Sequence, residues 1–136
     1  MHHARGAVSD RGGAAVLLLG VAAVVLLLAA ALGAVGVYLR ARVEAVAAAD
    51  AAALAAAPVT FLPFGAEGTP ADEAARFAAV NGARLLWCAC PVDPSWEPRL
   101  VTVRVAKEAR LWPVGSLTVT ATGRAEFEPA RLLLGE

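Results

Sequence analysis

From Ala14 to Leu39 the chain carries no charged residue across 26 consecutive positions. A helix of that length reaches about 39 Å at 1.5 Å per residue. The hydrocarbon core of a bilayer is roughly 30 Å thick, so the run is long enough to cross one with some tilt. A surface helix of a soluble protein keeps a polar face, and this run has none. Its eight leucines and six valines favour insertion by about 4 to 8 kcal/mol, an upper bound because residues near the helix ends count for less. The basic start, Arg5 and Arg11, and the small residues from Ala29 to Ala34 also suit a cleaved signal sequence. The apolar part of such a signal is only about 7 to 15 residues, so the reading favours a retained transmembrane span.

The remainder of the 136 residues suffices for one small domain. Twelve basic and twelve acidic side chains give a formal net charge of zero, which argues against nucleic acid as a partner, since phosphate binding needs a basic excess. Two cysteines, Cys88 and Cys90, are too few for a disulfide framework. No phosphate loop, dinucleotide fingerprint or metal-ligand spacing is present. Both histidines stand at the N-terminus, and Ser9, Ser95 and Ser116 have no base near them in sequence. The expectation is a protein that is not an enzyme, with no catalytic, cofactor-binding or metal-binding residues and no small-molecule substrate.

Residues 1–13 read as a flexible polar leader and 14–39 as the span. Alanine-rich residues 40–57 read as an extramembrane continuation of the same helix, ended by Pro58, which lacks a backbone donor. Val43, Val46, Ala47 and Leu54 recur there at helical spacing and predict a stripe that docks the C-terminal domain, residues 58–136. A Pro- and Gly-rich loop over 58–69 leads to a second helix. Thr69 suits its N-cap, Pro70 its first position, and Asp72 and Glu73 its first turn. Asn81-Gly82 suits its end, and Ala74, Phe77 and Ala78 its packing face.

The period then changes to two. Arg84 to Cys90 predicts a strand with Leu86, Cys88 and Cys90 on one face and Leu85, Trp87 and Ala89 on the other. Arg99 to Lys107 alternates Val101, Val103 and Val105 with Thr102 and Arg104, and Leu117, Val119 and Ala121 alternate with threonines. Residues 108–115 predict the turn between those two strands, and Ala125 to Phe127 a weak continuation. The fold class is therefore α+β: a long N-terminal helix, a short helix, and an antiparallel sheet of about three strands with one polar face.

Three features allow more than one reading. Asp50 falls on the expected docking stripe, where a buried carboxylate needs a partner such as Arg76, Arg84 or Arg104; the alternative is a solvated Asp50. Cys88 and Cys90 share a strand face, and free thiols facing the core are favoured over a disulfide. Ala29, Gly33 and Gly36 provide small-residue spacing of the kind that lets helices approach in lipid.

The stretch Asp10-Arg11-Gly12-Gly13-Ala14-Ala15-Val16-Leu17, the span, Tyr38-Leu39-Arg40-Ala41-Arg42 and then Ala48-Ala49-Asp50-Ala51-Ala52-Ala53-Leu54-Ala55-Ala56-Ala57 resemble the N-terminal module of TadE/TadG-like proteins of tight-adherence (Flp) pilus assembly. The part from Asn81-Gly82 onward is similar to short TadE-like proteins encoded beside secretion genes. The resemblance implies a minor-pilin-like or pseudopilin-like single-pass protein of the cytoplasmic membrane. Its partners would be the lipid bilayer and other pilin-like subunits or Tad-type secretion platform proteins. Arg5 and Arg11 at one end and Arg40 and Arg42 at the other nearly balance the positive-inside rule; the resemblance implies an N-terminus inside and a C-terminal domain outside. Pilin-type precursors carry a glutamate shortly after the cleavage point. Val16 to Leu18 occupy the corresponding positions, which counts against processing by a prepilin peptidase. The alternative reading is a bitopic envelope protein that recruits or senses a partner without a pilus role.

Overall fold

The computed structural model describes residues 9–64 and 67–134. Helix α1 (Ser9–Val59) is followed by a 3-10 turn (Leu62–Phe64), helix α2 (Pro70–Val80), strands β1 (Arg84–Ala89), β2 (Arg99–Leu111) and β3 (Gly115–Phe127), and a short helix α3 (Arg131–Leu134). The expected α+β architecture is present. Two compact units, Met1–Gly36 and Val37–Glu136, divide the chain. Of the leader expected over 1–13, residues 1–8 lie outside the described residues, and Ser9 to Gly13 already belong to α1.

Within the first unit, Val16, Leu17, Leu26, Leu27 and Leu32 are each about two-thirds exposed or more. A Cβ added at Gly20 or Gly33 would meet nothing. This is a helix apolar on every side, and α1 is long and apolar enough to cross a membrane.

The second unit is a helix-on-sheet sandwich. The sheet has the order β1-β2-β3 with both pairings antiparallel. Its inner face presents Val101, Val103 and Val105, all fully buried, with Val119, Ala121 and Ala125 beside them. From α1 come Ala41, Ala45, Ala48, Ala49, Ala52, Ala53, Ala56 and Ala57; from α2 come Ala74 and Ala78. Those α1 positions recur every three or four residues, which is one helical face. The expected docking stripe is thus corrected. Val43 and Leu54 are 69% and 65% exposed, and Val46 and Ala47 are exposed as well.

Gly123 of β3 explains why alanines and not the larger residues face the sheet. A Cβ at Gly123 would overlap the backbone C and O of Ala49 and stand 2.6 Å from the Asp50 nitrogen. The helix backbone rests on the strand backbone at this point, and only the smallest side chains fit around it.

Three further departures from the sequence reading have local causes. Pro58 and Val59 remain in α1, and the helix unwinds just after them through i to i+3 bonds, Thr60 N–H to Ala57 O and Phe61 N–H to Pro58 O, both 3.2 Å. The turn expected over 108–115 shrinks to Trp112–Val114, because Lys107 to Leu111 pair in register with Val119 to Gly115. The weak continuation at 125–127 is the end of β3. In β1 the register shifts between Leu85 and Trp87, with Leu86 left over. The bulge brings Leu85 and Cys88 to the core side and leaves Leu86 and Trp87 exposed. The expected face of Leu86 with Cys88 is therefore wrong by one residue.

Helix α2 follows its sequence signals. Thr69 and Asp72 form a reciprocal capping box, with Asp72 N–H donating to Thr69 Oγ1 and Thr69 N–H to Asp72 Oδ2, both at 3.1 Å. Gly82 ends it with φ +68°. We expect Gly123→Ala to destabilise this unit by about 1 to 3 kcal/mol, the usual range for overpacking, while the neighbouring exposed Thr122→Ala changes little. Denaturant unfolding of the detergent-solubilised full chain measures both, and equal stability of the two variants would refute the close-contact account.

Candidate functional site

Arg99 and Lys107 have the same parity along β2 as Val101, Val103 and Val105, so both point inward, one at each end of the valine stripe. Arg99 is 8% exposed. Its guanidinium donates to the carbonyl oxygens of Thr60 (3.1 Å), Asp93 (2.6 Å), Glu97 (3.3 Å) and Ser95. It also lies 5.6 Å from the ring centroid of Phe61, whose ring packs against Phe64, Trp96 and Phe127. The Thr60 carbonyl accepts from Asp93 N–H as well, at 3.0 Å. One cation thus gathers the end of α1 and the whole β1–β2 loop. Asp93 accepts from the Ser95 backbone N–H at 2.7 Å, which holds its carboxyl below the usual range.

Lys107 does the equivalent work at the other end. Its ammonium donates to the carbonyls of Asn81 and Gly82 at the close of α2, both at 3.3 Å, and pairs with Glu44 of α1 at 3.3 Å. Arg40 donates to the same Glu44 at 2.8 Å. Hydrogen bonds from Arg40 first and Lys107 second hold the Glu44 carboxyl below its ordinary value. The two inward cations were missed by residue-type reasoning, although their place in the valine alternation was a signal for both.

Asp50 is exposed. Among the described residues it makes no ion pair, and Arg76, one of its expected partners, pairs with Glu73. Of the two sequence readings, the solvated Asp50 is the one observed. Asp50 stands between Val46 and Leu54 on the exposed side of α1, so that side is an apolar stripe with one acid at its centre. Cys88 and Cys90 are joined as a disulfide with Cα atoms 5.5 Å apart, which corrects the expectation of free thiols. Strand alternation puts residues i and i+2 on one side, within disulfide reach. The outer sheet face carries Arg84, Trp87, Arg104 and Arg124, with Trp87 opposite Arg104 in register. No three His, Cys, Asp or Glu residues gather among the described residues.

Arg99→Met should lower stability by about 1.5 to 3 kcal/mol, the range for hydrogen bonds to a charged group, and should expose residues 91–98 to protease; an unchanged melting point with an unchanged cleavage pattern would refute its organising role. Glu44 ionises more readily in the folded chain than in the unfolded one. Its stabilising effect is therefore complete above the ordinary carboxylate range, about 4 to 4.5, and is lost as pH falls through the lowered folded value. Acid titration of stability should consequently be shallower in Glu44→Gln than in the wild type.

No curated protein and no solved structure matches the chain. Residues 12–58 match the Tad family model, putative Flp pilus-assembly TadE/G-like.

Proposed function

We propose that this chain is a membrane-anchored, minor-pilin-like component of a Tad-type pilus or secretion apparatus and acts by assembly, without catalysis. The carrying observation is the division of labour along the TadE/G-like segment. Its first part is apolar all round. Its second part buries alanines in its own domain and leaves Val43, Val46 and Leu54 exposed on another side. Exposed aliphatic residues aligned on one helix face suit lateral contact with another helix. Asp50, in the middle of that face, needs a cation from the partner if the contact is dry. In the lipid-facing part, Ala29, Gly33 and Gly36 permit close helix approach. The N-terminus lies inside and the domain from residue 58 onward lies outside the cytoplasmic membrane, anchored by the 14–39 span with 40–57 continuing beyond it.

Photocrosslinking from Val46 in intact membranes tests the contact. Adducts with pilin-like subunits or platform proteins are expected for the wild type, with a severalfold loss in Leu54→Lys and in Asp50→Ala. Asp50→Ala should leave stability within about 0.5 kcal/mol, as for other exposed sites. In the same strain, Glu97→Cys should react with an impermeant thiol reagent in intact cells. A wild-type chain recovered alone, with normal pili and secretion in the deletion strain, would favour an envelope protein outside the pilus system.

A further inference from the structure

The outer face of the sheet carries a line of arginines, one from each strand. Arg84 of β1 pairs with Ala106 of β2, and Arg104 stands two residues before Ala106. Arg104 in turn pairs with Thr122 of β3, and Arg124 stands two residues after it. Each arginine is therefore the diagonal neighbour of the next, at about 7 to 8 Å. All three are exposed. Among the described residues none of them makes an ion pair, and the paired acids Glu44, Glu73 and Glu128 are held by other cations. Like charges at this separation repel, and no carboxylate stands between them to offset the repulsion. The line is closed at both ends. Glu108 is the diagonal neighbour of Arg84 on one side, and Glu126 follows Arg124 by two residues on the other.

We propose that this line of arginines docks an extended acidic segment of a partner protein, with carboxylates at alternate positions. Charge and spacing both select that occupant. Alternate residues of an extended chain are about 6.7 Å apart, so acids at three successive alternate positions meet the three guanidinium groups. Each guanidinium presents a fork of N–H donors that matches a carboxylate. Thr122 beside Arg104 and Thr102 beside Arg124 offer hydroxyl groups that both donate and accept, which suits the polar backbone of such a segment. Trp87, 52% exposed and opposite Arg104, adds an apolar surface for an intervening side chain. Glu108 and Glu126 repel acids beyond the third, so the site reads a short motif and not a long polyanion. Three cations bracketed by acids, on a chain of zero formal net charge, make a poor site for nucleic acid. This face is turned away from α1, so the proposal goes beyond the α1 contact described above and stands without it.

The test uses the full-length chain in detergent and a fluorescein-labelled peptide of alternating glutamate and threonine, read by fluorescence anisotropy at low salt. Saturable binding is expected. Arg104→Gln should weaken it about two- to fivefold, the range of one exposed ion pair, and Arg104→Glu should abolish it. Arg42→Gln, which removes an exposed arginine outside the sheet, should bind as the wild type does. Binding should be lost as salt approaches 1 M, where screening acts within about 3 Å. A peptide with the same glutamates grouped in one block should bind severalfold more weakly. No binding, or equal binding by wild type and Arg104→Glu, would overturn the docking site. Equal affinity for the alternating and the grouped peptide would overturn the alternate-acid occupant. Tighter binding of a polyuronate or of anionic vesicles, again lost in Arg104→Glu, would assign the face to a glycan or a lipid surface and overturn the proposal.

Discussion

The second unit depends on a backbone-to-backbone contact. Helix α1 rests on β3 at Gly123, with the Ala49 carbonyl in the space a side chain would take. Everything nearby follows from that proximity. Ala45, Ala48, Ala52 and Ala53 surround the contact on the helix, and Ala121 and Ala125 flank it on the strand, all buried. Alanine buries little area per residue, so the close approach replaces side-chain volume with many short contacts. The bulky part of the core is supplied from the sheet, by Val101, Val103 and Val105.

Such a flat, small-residue interface has little interdigitation to fix its register. The inward cations of β2 supply that constraint. Arg99 ties the end of α1 to the β1–β2 loop through carbonyl oxygens, and Lys107 ties Glu44 of α1 to the end of α2. Hydrogen bonds are directional where alanine contacts are not, so charge at the two rims sets where along the sheet the helix lies. Burying a guanidinium is tolerable here because several backbone carbonyls replace its water.

A small-residue face toward its own domain leaves Val43, Val46 and Leu54, the larger aliphatic residues of this part of α1, exposed to solvent. A helix that used Val43 and Leu54 for its own core would have nothing apolar to offer a neighbour. The same economy appears at Trp112 and Val114, which contribute nothing to the core and are displayed at the hairpin tip. Under the assembly role proposed above, apolar groups displayed in this way are the surfaces a partner would cover.

Much was legible in the sequence because it depends on local chemistry. The uncharged run, the Thr69 cap, the Gly82 stop and the alternation of Val101 to Val105 each specify their element from neighbouring residues alone. The side of α1 that docks was not legible. Hydrophobicity favours Val43 and Leu54, whereas the choice of alanine depends on Gly123, more than sixty positions away, admitting the helix backbone. The bulge at Leu86 and the release of Asp50 to solvent likewise depend on the tertiary structure. The sequence by itself determined which segments are helix and strand and which run is long and apolar enough to cross a membrane, since those follow from periodicity, length and backbone propensity. Only the tertiary structure decided which faces meet, because steric fit between distant backbones outweighs the hydrophobicity of any single side chain.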